Sequence, residues 1–186
     1  MKKFVALALL ATAAIATPAM AQSATGTIQV TGVVPGKCAA ITPITGTITL
    51  NDISTPTGTV LSSFANNSGG LSRSFTVVCT SANASISVSS DALNNSTDSS
   101  TGGGYTGRVH YTSTLSANKA GGGTATAVYT TADVLPAVST TALADRLATG
   151  PNNVTVAVSN GTTTNSGDVL KSGSYSSTIT VTVSPL

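Results

Sequence analysis

The sequence predicts an exported all-β protein, built as an antiparallel sandwich or barrel. Three observations support this prediction: apolar and polar residues alternate along seven short runs, turn-forming residues separate the runs, and the composition favours strands. Thr and Val are frequent, charged residues make up only 8% of the chain, and Glu is absent. Because Glu and Lys favour helices while β-branched residues favour strands, composition and alternation agree.

The first residues carry the pattern of an export signal. Met1-Lys2-Lys3 is a short basic start, residues 4–17 are apolar or small, and Ala19-Met20-Ala21 places small residues where a signal peptidase cleaves. The apolar stretch is shorter than the roughly 20 residues that span a bilayer. We therefore expect residues 1–21 to be a signal peptide and the mature chain to start at Gln22 without a membrane span.

The charge excludes one large class of partner. The formal net charge of the chain is +2, and Lys2 and Lys3 of the expected signal peptide account for it. The mature chain is therefore neutral and has no basic surface that would attract nucleic acid.

Each alternating run places its apolar side chains on one face, as period-two strands do. Stretches rich in Asn, Gly and Pro separate the runs, and residues 94–104 are predicted to form one such loop. In chain order, the runs and their apolar residues are 27–34 (Ile28, Val30 and Val34, with Gly32 leaving a gap), 45–50 (Ile48, Leu50), 71–79 (Leu71, Phe75, Val77, with Arg73 between them), 85–89 (Ile86, Val88), 105–115 (Tyr105, Val109, Tyr111, Leu115), 153–159 (Val154, Val156, Val158) and 174–183 (Tyr175, Ile179, Val181, Val183).

One stretch has a different pattern. In residues 140–148, Leu143 and Leu147 are four positions apart, a threonine precedes them and Gly150 follows. This pattern predicts one or two turns of helix in a connecting loop.

The two cysteines, Cys38 and Cys79, both lie in the exported part of the chain. In an oxidising compartment, such a pair is most simply one disulfide, here closing a loop of about 40 residues. A metal site would need more ligands than one histidine adds, and a catalytic thiol would need a base as partner. The sequence therefore predicts a disulfide between Cys38 and Cys79.

Catalytic chemistry has little support in the sequence. His110 is the only histidine, and alternation places it opposite Val109 and Tyr111, toward solvent. The six aspartates are dispersed, and no pattern brings two of them together. The glycines at 102–104 lack the lysine and helix start of a phosphate-binding loop. We therefore expect no enzyme activity, no catalytic residue, no cofactor and no metal site.

The two ends of the sequence suggest how the chain could associate. The run 174–183 reaches almost to the last residue, so we expect no later segment to cover the free edge of this strand. An uncovered edge beside an apolar core accepts a strand from another chain. The run 25–34, separated from Cys38 by Pro35-Gly36, has the alternation of a suitable donor.

Three sequence features together resemble the spore coat protein U domain family, which includes the pilins of archaic chaperone–usher pili. These features are A-T-G-T-I-Q-V at 24–30, Cys38, and the closing run G-S-Y-S-S-T-I-T-V-T-V at 173–183. The resemblance covers both ends and the cysteine pair, whereas residues 91–167 match only in general character. It implies an incomplete immunoglobulin-like sandwich that lacks its last strand and is completed by a donor strand from another subunit.

The resemblance also implies partners and site residues. A periplasmic chaperone would supply a strand during export, and an outer-membrane usher would exchange it for the N-terminal segment of a related or identical subunit. Residues 22–36 would hold the donor, residues 37–186 the sandwich, and the disulfide would tie the first strand to it. The expected donor residues are Ile28, Val30, Gly32 and Val34, and the expected edge of the acceptor groove is formed by Tyr175, Ile179, Val181 and Val183.

These features favour a structural subunit of a surface fibre that serves adhesion or biofilm formation. One alternative is a self-contained secreted binding module or adhesin, which would be a stable monomer with its N-terminal strand in its own sheet. Four tyrosines and no tryptophan offer few platforms for sugar rings, which disfavours it. A secreted enzyme is the third hypothesis, and the single histidine disfavours that.

Overall fold

Most of the alternating runs form strands in a computed structural model of the chain, which describes residues 26–64, 70–131 and 138–186. The first seven strands are β1 Cys38–Ala40, β2 Ser72–Phe75, β3 Val77–Cys79, β4 Ala84–Ser90, β5 Leu93–Asn95, β6 Thr101–Gly102 and β7 Tyr105–Thr106. The next seven are β8 Arg108–Asn118, β9 Thr124–Thr130, β10 Ser139–Ala142, β11 Val154–Thr162, β12 Val169–Leu170, β13 Tyr175–Ser176 and β14 Ile179–Pro185. None of the residues in these described ranges is helical, and none forms a helix that could cross a bilayer.

Contacts divide the chain into two units, residues 1–33 and residues 34–186. Of the first unit, only residues 26–33 are described, and they form no strand. Ile28 and Val30 are each 92% exposed. The predicted strand at 27–34 is therefore absent from the described structure of this segment, and the expected signal peptide lies outside the described residues.

The second unit contains two main sheets. One has the strand order β10-β4-β14. In the other sheet, β11 lies between β2 and β8. The second edge of β8 pairs with β5 near its start and with β9 along the rest, and β13 pairs with the outer edge of β5. All these pairs are antiparallel, whereas a small sheet of β6, β7 and β12 contains the parallel pair of β12 with β7.

The sheets pack face to face because alternate residues of their central strands are apolar. Ile86 and Val88 of β4 share one buried cluster with Leu115 of β8 and Val156 of β11. A second cluster contains Phe64 together with apolar residues of β8 and β11. The antiparallel all-β sandwich predicted from the sequence is thereby confirmed, and it agrees with an immunoglobulin-like architecture.

The predicted helix at 140–148 is wrong. Ser139–Ala142 is strand β10, which pairs with β4, and the following residues form bends with an isolated bridge between Leu147 and Lys119. Leu143 and Leu147 are both buried, 2% and 3% exposed, so the leucine spacing did identify two core residues. The hydrogen bonds that β4 offers along its edge outweigh the weak helical preference of a stretch rich in Thr.

The predicted loop at 94–104 is more ordered than expected. It contains the end of β5 and the hairpin strand β6. Asn95 is only 5% exposed, and its side-chain amide donates to the carbonyls of Lys171 and Ser172 while its Oδ1 accepts from the backbone N–H of Thr97. A buried amide with its hydrogen bonds satisfied holds this part of the chain in one conformation.

Candidate functional site

Two unpaired strand edges, one from each main sheet, face each other across one side of the sandwich. β14 pairs with β4 along its whole length, from Ile179 opposite Ser90 to Pro185 opposite Ala84, and its other edge pairs with none of the described strands. β2 pairs only with β11 in the opposite sheet. The two free edges flank the same opening between the sheets, which exposes the sandwich interior at this side.

The opening is a groove with a volume of about 1050 Å³. Its walls include Arg73 and Phe75 of β2 on one side and Ile179 and Val181 of β14 on the other. The floor consists of core side chains from both clusters, namely Phe64, Tyr111, Val156 and Val158. An apolar groove between two unpaired edges offers main-chain hydrogen bonds and side-chain pockets together.

Residues 44–53 form a further wall of the groove. Ile48 and Leu50 are half-buried against the second core cluster, while Thr47 and Thr49, at the alternate positions, are exposed. The alternation predicted for residues 45–50 is therefore present, but these residues are not part of any sheet. Residues 45–50 are laid against the core but pair with none of the described strands.

The segment 44–53 and β14 run in opposite directions along the groove. Ile44 packs on the first cluster, as do Val181 and Val183 farther along β14, whereas Ile53 packs on the second cluster, which Ile179 at the start of β14 also contacts. A single strand placed between the segment 44–53 and β14 would therefore be parallel to one of them and antiparallel to the other.

The predicted edge residues occupy different positions on this wall. Tyr175, Ile179 and Val181 line the groove, whereas Val183 packs on the first core cluster and does not line it. The predicted single strand over 174–183 is divided, because Tyr175 belongs to β13, which pairs with β5, and β14 starts only at Ile179.

Hydrogen bonds hold both parts of this wall in place. The hydroxyl of Tyr175 donates to the carbonyl of Lys171 at 2.8 Å. Between β13 and β14, the hydroxyl of Ser177 is 2.7 Å from that of Tyr111. Burial raises the pKa of Tyr111, and its hydrogen bond to Ser177 opposes that shift only in part. Tyr111 therefore stays neutral and contributes no charge to the groove.

The predicted donor residues lie in or next to the separate N-terminal unit. Ile28, Val30 and Gly32 belong to residues 26–33, and a Cβ on Gly32 would meet no atom within 4 Å. Val34 begins the second unit and is 76% exposed. None of the four is part of a strand.

The disulfide between Cys38 and Cys79 is confirmed. The two residues are direct partners on β1 and β3, with their Cα atoms 4.1 Å apart. Thr80 adds a clamp that the sequence did not predict: its hydroxyl donates to the carbonyl of Pro35 at 2.9 Å and accepts from the N–H of Lys37 at 3.0 Å. The chain is thus fixed to the sandwich immediately after the expected donor segment.

His110 lies on the outer face of β8, as alternation predicted, and is half-buried. Its Nδ1 is 3.1 Å from the carbonyl of Thr131, and its Nε2 is 3.2 Å from the hydroxyl of Thr164. Within the described ranges, neither ring nitrogen bonds a carboxylate. No group of three His, Cys or Asp side chains in those ranges could hold a metal ion.

Comparisons with protein-family models, with curated proteins and with solved structures find no match to this chain.

Proposed function

We propose that this chain is a structural subunit of an exported surface fibre, which polymerises by lending its N-terminal segment to the groove of a neighbouring copy. The observation that carries the proposal is the apolar groove between two sheet edges that have no partner among the described strands. A strand that fills such a groove gains main-chain hydrogen bonds from its edges and buries alternate side chains in the core.

The segment 25–34 has the properties that the groove requires of an occupant. Ile28, Val30 and Val34 would lie on one side of this segment if it were extended as a strand, and all three are exposed in the described structure. Ten residues of strand extend about 33 Å, which exceeds the length of β14. Gly32 leaves a gap in the apolar row, so a larger groove side chain can occupy the space opposite it.

Head-to-tail donation makes an open filament. Each copy has one groove and one donor, so the contact is heterologous and grows as long as the rotation between copies does not close a ring. Because the clamp at Thr80 and the disulfide fix the chain just after the donor, the donor is tied firmly to its own sandwich. Such a fibre suits adhesion or biofilm formation at the cell surface.

An unfilled groove also needs protection during export. A subunit with an exposed apolar groove tends to aggregate, since free strand edges beside apolar surface are templates for uncontrolled pairing. A periplasmic chaperone that lends a strand, and an outer-membrane usher that exchanges it for the next donor, are the partners that this proposal requires.

The test compares two versions of the protein by thermal unfolding and by size. One lacks residues 22–36. The other lacks the same residues but carries a copy of residues 25–34 after Leu186, joined by a short flexible linker that allows a hairpin with β14. We expect only the second to be a cooperatively folded monomer, because its own groove is filled.

A matched control carries the same appended segment with Ile28 and Val30 replaced by Ser. It should be no more stable than the version without a donor, because its backbone alone fills no pocket. If the version without a donor is already as stable and monomeric as the complemented one, the sandwich needs no further strand. The chain would then be a self-contained binding module instead.

A further inference from the structure

The outer face of the larger sheet carries a straight row of hydroxyl groups across four strands. Ser74 of β2 lies opposite Thr155 of β11, which lies opposite Ser116 of β8, which in turn lies opposite Thr126 of β9. Their neighbours along each strand point into the core, so these four side chains point outward. The row thus presents one short polar side chain from every strand.

Two further rows continue the pattern along the same strands. The middle row contains Ser72, Ala157, Thr114 and Val128, and the third contains Ser159, Thr112 and Thr130. We call these three rows together the hydroxyl face. None of its positions is charged; Arg108 and His110 lie beyond the third row at one end of β8. Its one large apolar side chain, Val128, is 51% exposed.

Hydroxyl groups of this face bond to one another across the strands. The hydroxyls of Ser74 and Thr155 are 2.9 Å apart, and those of Thr112 and Thr130 are 3.2 Å apart. A hydroxyl that keeps a protein partner loses less when water is removed than one that depends on water alone. Another surface can therefore cover these two hydroxyl pairs at a lower desolvation cost than hydroxyls that depend on water alone, while the threonine methyls and Val128 of the face gain contacts.

We propose that the hydroxyl face of one fibre packs against the hydroxyl face of a second copy in a neighbouring fibre, so that fibres associate side by side. A second copy fits because the face carries no charged side chain, so no like charges meet when two identical faces approach. The mature chain is also neutral overall, once Lys2 and Lys3 are removed, and proteins without net charge associate more readily.

The area of the hydroxyl face explains why this contact forms between fibres and not between single subunits. Strands about 4.8 Å apart and rows about 6.7 Å apart give the face roughly 400 Å². A stable complex between two proteins buries about 800 Å² on each partner, so two single subunits would not stay together. A fibre repeats the face in every subunit, and linked weak contacts act together as a strong one. The inference therefore rests on the proposed polymerisation.

The opposite sheet supplies a matched control. Thr140, Ser87 and Thr182 form a narrower row of the same chemistry on its outer face, across three strands instead of four. Charges placed on β4 of this sheet change the net charge by the same amount without touching the hydroxyl face.

The experiment measures the bundling of assembled fibres by low-speed sedimentation and electron microscopy. Wild-type fibres should bundle. Fibres of the double variant Thr114→Lys with Thr155→Lys should keep their length but sediment at least about tenfold less, because repelling charges face each other at every repeat. The control variant Ser85→Lys with Ser87→Lys should bundle like the wild type.

A charge exchange distinguishes pairing of these faces from a folding defect. Fibres of the double variant Thr114→Glu with Thr155→Glu should also stay single, but mixing them with fibres of the Thr114→Lys, Thr155→Lys variant should restore bundles. If wild-type fibres stay single, if the Lys fibres bundle as before, or if mixing restores nothing, the lateral contact is wrong. If the chain forms no fibres at all, the proposed function fails first and this inference with it.

Discussion

The aromatic ring of Phe64 packs against the backbone of Gly161, so closely that a Cβ atom at position 161 would lie 2.8 Å from two ring carbons and 3.0 Å from the carbonyl of Leu61. Gly161 also donates a backbone hydrogen bond to Ser62 at 2.7 Å. Phe64 is 1% exposed and forms part of the groove floor. Because Gly161 has no side chain, the ring of Phe64 has room to pack into the groove floor.

Replacing Gly161 by Ala should destabilise the sandwich by about 1–3 kcal/mol, because the added methyl group overpacks a site bounded by backbone and a buried ring. Chemical denaturation measures the change in the free energy of unfolding. Gly150→Ala is the matched control, since a Cβ at 150 meets no atom within 4 Å and should change stability by less than about 0.5 kcal/mol. Equal stability of both variants would show that Phe64 can move aside.

Asn153 joins three parts of the core and should be among the polar residues least tolerant of change. It is 2% exposed; its side-chain amide donates to the carbonyl of Val77 at 2.7 Å and to that of Ala148, and its Oδ1 accepts from the N–H of Val77 at 2.9 Å. Asn153→Ala leaves these buried backbone groups without partners and should cost about 2–4 kcal/mol in denaturation experiments.

Asn153→Asp distinguishes hydrogen bonding from packing at this site. Asp has nearly the same shape but cannot donate to the two carbonyls when ionised, so it should be about as destabilising as Ala. An Asp variant as stable as the wild type would show that the donated bonds contribute little.

Reduction of the Cys38–Cys79 disulfide should lower the free energy of unfolding by about 2–4 kcal/mol, because the bridge closes a loop of 41 residues in the unfolded chain. Denaturation with and without a reductant measures the loss. The double variant Cys38→Ser with Cys79→Ser should match the reduced protein and should not respond to reductant. A thiol titration shows when both cysteines are free. If the free energy of unfolding is unchanged at that point, the prediction is wrong.

The sequence predicted those features of the fold that depend on local alternation. Val109, Tyr111 and Leu115 of β8 are buried and His110 points to the other side, because a period of two fixes the face of each residue. Pattern reasoning failed at 140–148, where leucines four apart fit both a helix and a bend packed on the core.

The rest of the site depends on contacts between distant parts of the chain. Asn153 lies at the start of the alternating run 153–159, directly after a turn-forming stretch of Gly, Pro and Asn, and its partner Val77 is 76 positions away. Thr80 gives no signal in the sequence, because its role depends on the return of the chain at Pro35. Likewise, alternation predicts that residues 45–50 are extended but cannot predict that they pair with none of the described strands.

The contact between Lys171 and Asp98 should make part of the stability depend on pH. Lys171 Nζ is 2.7 Å from Asp98 Oδ2, and its hydrogen bond, followed by that of Ser100, holds the pKa of Asp98 well below its usual range. A carboxylate with a lowered pKa in the folded state stabilises the fold above its unfolded pKa, near 3.9, and this contribution is lost as the pH falls further.

Asp98→Asn should therefore reduce stability at pH 7 and have progressively less effect as the pH falls below about 4. Because both groups are partly exposed, the effect is small and should decrease with salt. Denaturation of wild type, Asp98→Asn, Lys171→Met and the double variant across pH measures the coupling. A difference between wild type and Asp98→Asn that stays constant from pH 7 to pH 2 would rule out the ion pair as its source.

Alternation in the N-terminal segment should decide which residues the fibre needs. Val30 is 92% exposed, so Val30→Asp should leave the thermal unfolding of the sandwich unchanged. In a filled groove, however, it would place a carboxylate against apolar side chains, and fibre yield should fall by a factor of about one hundred or more. Gln29→Asp adds the same charge on the opposite side of the strand, where it stays in solvent, and should still form fibres. Sedimentation of assembled fibres measures both yields. Loss of fibres in both variants would mean that the charge of the segment matters and its alternation does not, whereas normal fibres from Val30→Asp would show that this segment is not the donor.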